Sequence, residues 1–228
     1  MSELTASELM LRREDLTTNP SARVPVCMCL DTSGSMEREP IEQLNAGVAA
    51  FYAAVRADKA ARFSAEISVV TFGGQVQQIT DFCSIDRQKI GVLTAAGGTP
   101  MGAAVGLGLD LLDRRKKEYK DAGVDYFQPW LVLMTDGLPD PNSGWEAVAG
   151  RAAALANDKK LSVFAIGVGD QADLAVLARF SPTRSPLRLQ GLNFVAFFEW
   201  LGKSVAAQSN STPGREVPLP EIKGWGSI

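Results

Sequence analysis

Three short runs of nearly unbroken apolar residues constrain this chain most. They are residues 24–30 (VPVCMCL) and the stretches PWLVLMTDG and LSVFAIGVG. Continuous apolar runs of this length mark strands buried on both faces. Between them lie longer stretches of helical period. From Ile41, IEQLNAGVAAFYAAVRADKAA places Ile41, Leu44, Val48, Phe51, Tyr52 and Val55 on one stripe. MGAAVGLGLDLLDRRKKEYK and GWEAVAGRAAALANDKK read as further helices. Buried strands alternating with amphipathic helices define an α/β fold, with a mostly parallel central sheet and helices on both faces.

The second strand, AEISVVTFGG, ends in two glycines and runs at once into QVQQITDF. Gly73-Gly74 is therefore expected to turn a hairpin, which gives the sheet one antiparallel edge strand. ADLAVLARFS reads as a short helix and PLRLQGL as a last, weaker strand. The final helix, NFVAFFEWLGKSVAAQ, has Phe194, Phe197, Phe198 and Leu201 on its apolar face and Asn193 as its expected cap. Ser143 is the expected cap of the helix beginning near Trp145. Residues 1–22 read as a polar N-terminal extension, 23–208 as one domain, and 209–228 as a tail rich in Pro, Gly and Ser. That tail either packs back on its own domain or serves as a peptide for a partner, with Trp225 as anchor.

Several function classes drop out. The net charge is −3, and the only basic run, residues 114–117 (RRKK), has no interleaved aromatics, so nucleic acid is not an expected partner. That run is expected to be the solvated end of a helix. The chain has no His, which excludes Ser-His-Asp and Cys-His catalysis and His-bearing metal sites. Cys27 and Cys29, two apart on a strand, face one way and read as buried thiols; with Cys83 they make no disulfide framework. No leader segment is recognisable at the start, and no apolar run reaches the roughly 18 residues that a membrane span needs. A soluble cytoplasmic protein without membrane contact is the expectation.

In open parallel sheets, ligands bind beyond the carboxyl ends of the strands, where strand order reverses. The polar residues of interest fall there. Asp31 ends the first strand, and Ser33 and Ser35 follow it in DTSGSM. Thr99 lies in the loop GGTP before a helix, and Asp136 ends LVLMTD. Two carboxylates and three hydroxyls make an all-oxygen donor set, suited to a hard divalent cation. Alternate spacing in Asp-x-Ser-x-Ser lets a turn aim three side chains at one point, with Gly34 supplying backbone freedom. Such an ion keeps a position that an incoming carboxylate can take. Mg²⁺ is the expected ion, although oxygen donors alone do not select it over Mn²⁺ or Ca²⁺. Any one of these residues alone is more often a cap or turn former; the joint pattern is what points to a metal. No Asp-x-Asp nucleophile motif or phosphate-binding G-x-x-x-x-G-K-[ST] loop is present.

DTSGSM, GGTPM and TDG, in this order, resemble the metal-ion-dependent adhesion site of von Willebrand factor type A domains over about residues 24–208. The resemblance implies a Rossmann-like fold and a metal role for Asp31, Ser33, Ser35, Thr99 and Asp136. It further implies a binding module without catalysis, whose ion bridges to an Asp or Glu of a protein partner. Met36, Gln75, Met101, Leu138 and Pro139 are candidates for the surrounding rim, with Met36 and Met101 equally readable as packing beneath the loops. Residues 19–36 are similar to the start of bacterial tellurite-resistance-associated proteins of the TerY/YegL kind, as are the hairpin at Gly73-Gly74 and LVLMTDG. That likeness implies a stress-response setting beside a Ser/Thr kinase or a protein phosphatase. The alternatives are a metal-assisted phosphoester hydrolase and a scaffold that binds through its tail.

Overall fold

The apolar runs form the middle of a seven-stranded sheet. A computed structural model describes residues 16–141, 143–215, 217–222 and 224–227. Most of the expected N-terminal extension, residues 1–15, lies outside the described residues. The strands are β1 (Val24–Asp31), β2 (Ala65–Gly73), β3 (Gln75–Thr80), β4 (Trp130–Thr135), β5 (Ser162–Val168), β6 (Leu187–Leu189) and β7 (Gly226–Ser227), in the order β3-β2-β1-β4-β5-β6-β7. β1, β2, β4, β5 and β6 pair in parallel. β3 returns antiparallel beside β2 through the Gly73-Gly74 hairpin. The helices are α1 (Glu39–Ala57), α2 (Lys59–Ser64), α3 (Met101–Ala122), α4 (Trp145–Asn157), α5 (Leu174–Phe180) and α6 (Phe194–Ser209). No helix among the described residues is long and apolar enough to cross a membrane.

Strand parity sorts the core into two layers. Val24, Val26, Met28 and Leu30 of β1, with Val132 and Met134 of β4, point toward α1 and α6. Cys27, Cys29, Leu131 and Leu133 point toward α3 and α4. Both thiols are fully buried, as the sequence predicts. They lie directly under α3, which approaches closely because position 108 is Gly. A Cβ there would sit 3.0 Å from the Cys29 Sγ and 3.1 Å from the Cys27 Sγ. Gly47 plays a similar part between α1 and α6, where an added Cβ would come within 2.6 Å of the Phe198 ring.

Three local expectations change. The sheet has a second antiparallel edge: Gly226–Ser227 pairs with β6 beyond the expected last strand. Of the two readings of the tail, packing on its own domain is the one observed: Trp225 is buried, its ring 5.2 Å from those of both Phe197 and Trp200. Neither expected helix cap forms. Gly144, at φ 68°, occupies the capping position of α4 in place of Ser143. Asn193 precedes α6 without a side-chain capping bond.

The third change concerns the basic run, which is not wholly solvated. Arg115 is fully buried and forms a bidentate pair with Glu66, at 2.7 and 2.9 Å. Arg23 bonds the same carboxylate at 3.1 Å, and the Tyr119 hydroxyl donates to it at 2.5 Å. Buried charge is tolerated here because each group of the cluster is paired and hydrogen-bonded.

Candidate metal centre

Strand order places β1 between β2 and β4, so chain progression diverges on either side of it. That divergence opens a crevice at the carboxyl ends of the strands. Asp31 is the last residue of β1, and Asp136 immediately follows β4. The β1–β4 register puts Leu30 opposite Met134, which carries Asp31 alongside Thr135. Both fall on the α3 side by parity. The Thr135 hydroxyl donates to Asp31 Oδ2 at 2.5 Å, and the Ser33 N–H donates to Asp31 Oδ1 at 2.8 Å.

Beyond Asp31 the chain makes a short 3₁₀ turn, Gly34–Met36. Ser33 precedes the turn but makes no side-chain capping bond, which leaves its hydroxyl for the crevice. The Ser35 hydroxyl donates to Asp136 Oδ1 at 2.8 Å and, 3.0 Å from the Ser33 hydroxyl, accepts from it. Asp31, Ser33, Ser35 and Asp136 thus form one hydrogen-bonded chain across two loops.

Thr99 comes from a third loop, which glycines knit to the others. The Gly34 N–H donates to the Gly97 carbonyl at 2.9 Å, and the Gly74 N–H donates to the Gly98 carbonyl at 2.9 Å. Gly97 adopts φ 76°, and a Cβ there would lie 2.6 Å from the Gly74 Cα. The backbone freedom expected of Gly34 therefore resides at Gly97 and Gly74. Thr99 itself is fixed by Asp140: its N–H donates to Asp140 Oδ1 at 2.9 Å, and its carbonyl accepts from the Asp140 N–H at 3.0 Å. Its Oγ1 is 3.9 Å from where a Gly137 Cβ would stand. Thr99 reaches the crevice but is not in the hydrogen-bonded chain of the other four.

The electrostatics are those of anionic oxygen in excess. Burial pushes the Asp31 carboxyl from 3.8 up to about 6, against the lowering pull of hydrogen bonds from Ser33 and Thr135. Burial raises Asp136 as well, opposed by the Ser35 hydroxyl. Among the described residues, no Lys or Arg is among the main causes of either shift. Among the described residues no three His, Cys, Asp or Glu side chains gather at one point, and a cation here would need the hydroxyls beside the two carboxylates. Two carboxylates with no counter-cation among the described residues, and hydroxyl oxygens beside them that keep lone pairs, fit a hard divalent ion that balances their charge.

Of the rim residues, Met36 and Met101 are fully buried and pack beneath the loops. Pro139 is buried, Gln75 is exposed, and Leu138 is 56% exposed. Sequence reasoning missed Thr135 and Asp140. Thr135 was visible only as the residue before Asp136; Asp140 sits four residues after it in DGLPD, with no signal of its reach to Thr99.

The chain belongs to the von Willebrand factor type A domain family, whose match spans residues 26–194. Domains of this family generally mediate protein interaction or adhesion. No curated protein matches the sequence. Solved structures share the fold at low identity. The pilus adhesin SpaC from Lactobacillus rhamnosus GG, in its open conformation, is 15% identical with a TM-score of 0.63, over 82% of this chain and 30% of that one. Proximal thread matrix protein 1 from the mussel byssus, with a zinc-occupied MIDAS motif, is 18% identical with a TM-score of 0.53, over 82% and 48%. Manganese-loaded TRAP protein from Plasmodium vivax is 20% identical with a TM-score of 0.50, over 71% and 63%. This chain therefore spans less than two thirds of the length of each of these three.

Proposed function

We propose that this chain is a metal-dependent protein-interaction module. Asp31, Ser33, Ser35, Thr99 and Asp136 hold a divalent cation, Mg²⁺ in preference to Mn²⁺ or Ca²⁺. A partner's Asp or Glu carboxylate completes its coordination. The ion supplies positive charge to a crevice that otherwise holds two buried carboxylates, and it attracts a third from outside. The observation that carries this reading is the pair Asp31 and Asp136 at neighbouring strand ends, joined through Ser33 and Ser35, with no basic side chain among the described residues as a main cause of either one's shift. Relatives of the same fold described with zinc in a MIDAS motif and as manganese-loaded support a divalent ion. Thr135 and Asp140 position Asp31 and Thr99 and are not themselves assigned as ligands.

The finer setting is a cytoplasmic bacterial stress system of the tellurite-resistance kind, with a Ser/Thr kinase or a protein phosphatase as partner. It is supported by the likeness of residues 19–36 and of the hairpin. What argues against the hydrolase alternative is that the sequence has no His to serve as a general base.

The test compares wild type in Mg²⁺, wild type in EDTA, and Asp31→Ala in Mg²⁺, by thermal melting and by pull-down from native lysate. Mg²⁺ is expected to raise the melting temperature of wild type alone, and a partner is expected on wild type in Mg²⁺ alone. A partner retained equally in all three would refute the bridging mechanism. Phosphoester turnover lost in Asp31→Ala would refute the binding-only reading.

A further inference from the structure

A cleft of about 950 Å³ opens at the amino end of β4 and β5, where Trp130 and Ser162 begin those strands. It lies at the opposite pole of the sheet from Asp31 and Asp136. Six cations line it: Lys116 and Lys120 from α3, Lys159 and Lys160 from the turn after α4, Arg184 from the turn after α5, and Arg215 from the segment after α6. No Asp or Glu lines it among the described residues. Among the described residues, one sign of charge is thus gathered in this concavity of a chain whose net charge is −3.

Helix ends explain part of this. Cations near the carboxyl ends of α3 and α4 suit the macrodipole. Three further observations are not explained that way. First, Lys116 and Lys160 pair with Asp113 and Asp158, whereas Lys120, Lys159, Arg184 and Arg215 are in no ion pair among the described residues. Second, Lys159 holds φ 56° where α4 ends, its N–H donating to the Ala156 carbonyl and the Lys160 N–H to the Leu155 carbonyl. Such an end favours Gly, so a lysine there stores backbone strain at the cleft. Third, the Arg184 guanidinium is held 4.6 Å from the centre of the Phe164 ring while the residue stays exposed to the cleft. A cation positioned in this way without a counter-ion can make charge-assisted contacts to an arriving anion.

We propose that this cleft binds a compact polyphosphate anion of nucleoside-triphosphate size. Its volume falls within the roughly 300–1,000 Å³ of small-molecule sites. Its cations converge from four separate segments, which suits a compact multiply charged ligand better than an extended acidic chain. The site is independent of the proposed metal centre.

Isothermal titration in EDTA with inorganic tripolyphosphate, and separately with ATP, tests this on the full chain. Both are expected to bind at a 1:1 ratio. The double variant Arg184→Gln/Arg215→Gln is expected to weaken binding by about tenfold or more, since each charge-assisted contact is worth at least a factor of about ten. Lys159→Gly is expected to raise the melting temperature while weakening binding, a divergence that a purely structural lysine would not give. Asp31→Ala is expected to bind as wild type does, which separates this cleft from the metal centre. Absence of binding at millimolar tripolyphosphate would overturn the proposal. So would unchanged affinity in a folded double variant, or a Glu-rich peptide binding more tightly than tripolyphosphate.

Discussion

Replacing Asp31 by Asn should make the metal-free protein more stable at neutral pH. Burial raises the Asp31 carboxyl from 3.8 to about 6. A raised acid contributes stability that is full below pH 3.8 and lost as pH rises through about 6. At ~1.4 kcal/mol per pH unit, the ionised carboxylate costs the metal-free fold up to about 3 kcal/mol at pH 7.5. Asn keeps the Ser33 N–H acceptor without the charge. Its amide faces the Thr135 hydroxyl, which has the Gly137 carbonyl, 3.5 Å away, as another acceptor. A net gain of about 1–3 kcal/mol is expected, or about 3–9 °C in Tm for a chain of this size. Metal should reverse the order: at 1,000 times its dissociation constant, a bound ion adds about 4.1 kcal/mol to wild type and nothing to Asp31→Asn. The assay is thermal melting of both proteins at pH 5 and 7.5, in EDTA and in Mg²⁺. The gap should shrink to about half at pH 5 in EDTA, and it would close only below pH 3.8, where the unfolded carboxyl is protonated too. If metal-free wild type proves as stable as Asp31→Asn at pH 7.5, or if Mg²⁺ stabilises both equally, the electrostatic reasoning fails.

Other perturbations have expected outcomes. Glu66→Gln leaves Arg115 and Arg23 buried without their carboxylate and should cost about 3–5 kcal/mol in urea denaturation; a loss under 1 kcal/mol would show that water reaches the cluster. Gly47→Ala forces a methyl group into the Phe198 ring and should destabilise by about 1–3 kcal/mol, with no effect on metal affinity. Trp225→Ala empties a site between Phe197 and Trp200 and should cost about 3 kcal/mol, read as a fall of several degrees in Tm. An unchanged melt would mean that the segment after α6 does not support the domain.

Much of this was legible in the sequence, because the elements that build the crevice are local. β1, β4 and β5 are unbroken apolar runs, and their polar terminators stand at strand ends whatever the partner strands. Gly73-Gly74 forms a turn on its own chemistry. What escaped depends on distant partners. Arg115 sits in a basic run that reads as solvated; it is buried because Glu66, 49 residues away, accepts two of its hydrogen bonds. β7 is two residues long and has no periodicity to detect; only the edge of β6 makes it a strand. Thr135 faces Asp31 because of the β1–β4 register, which neither strand encodes alone. The cleft at the other pole gathers cations from four segments, each unremarkable where it stands in the chain.

The two thiols beneath α3 make the molecule its own clock. Cys27 and Cys29 are fully buried, whereas Cys83 is only half-buried. An alkylating reagent should mark Cys83 promptly and reach the other two only when α3 lifts from the sheet. The delay between the first label and the next two measures how often that layer opens under native conditions. Repeating the measurement with and without a divalent ion would report whether occupation of the crevice is felt along the whole length of β1.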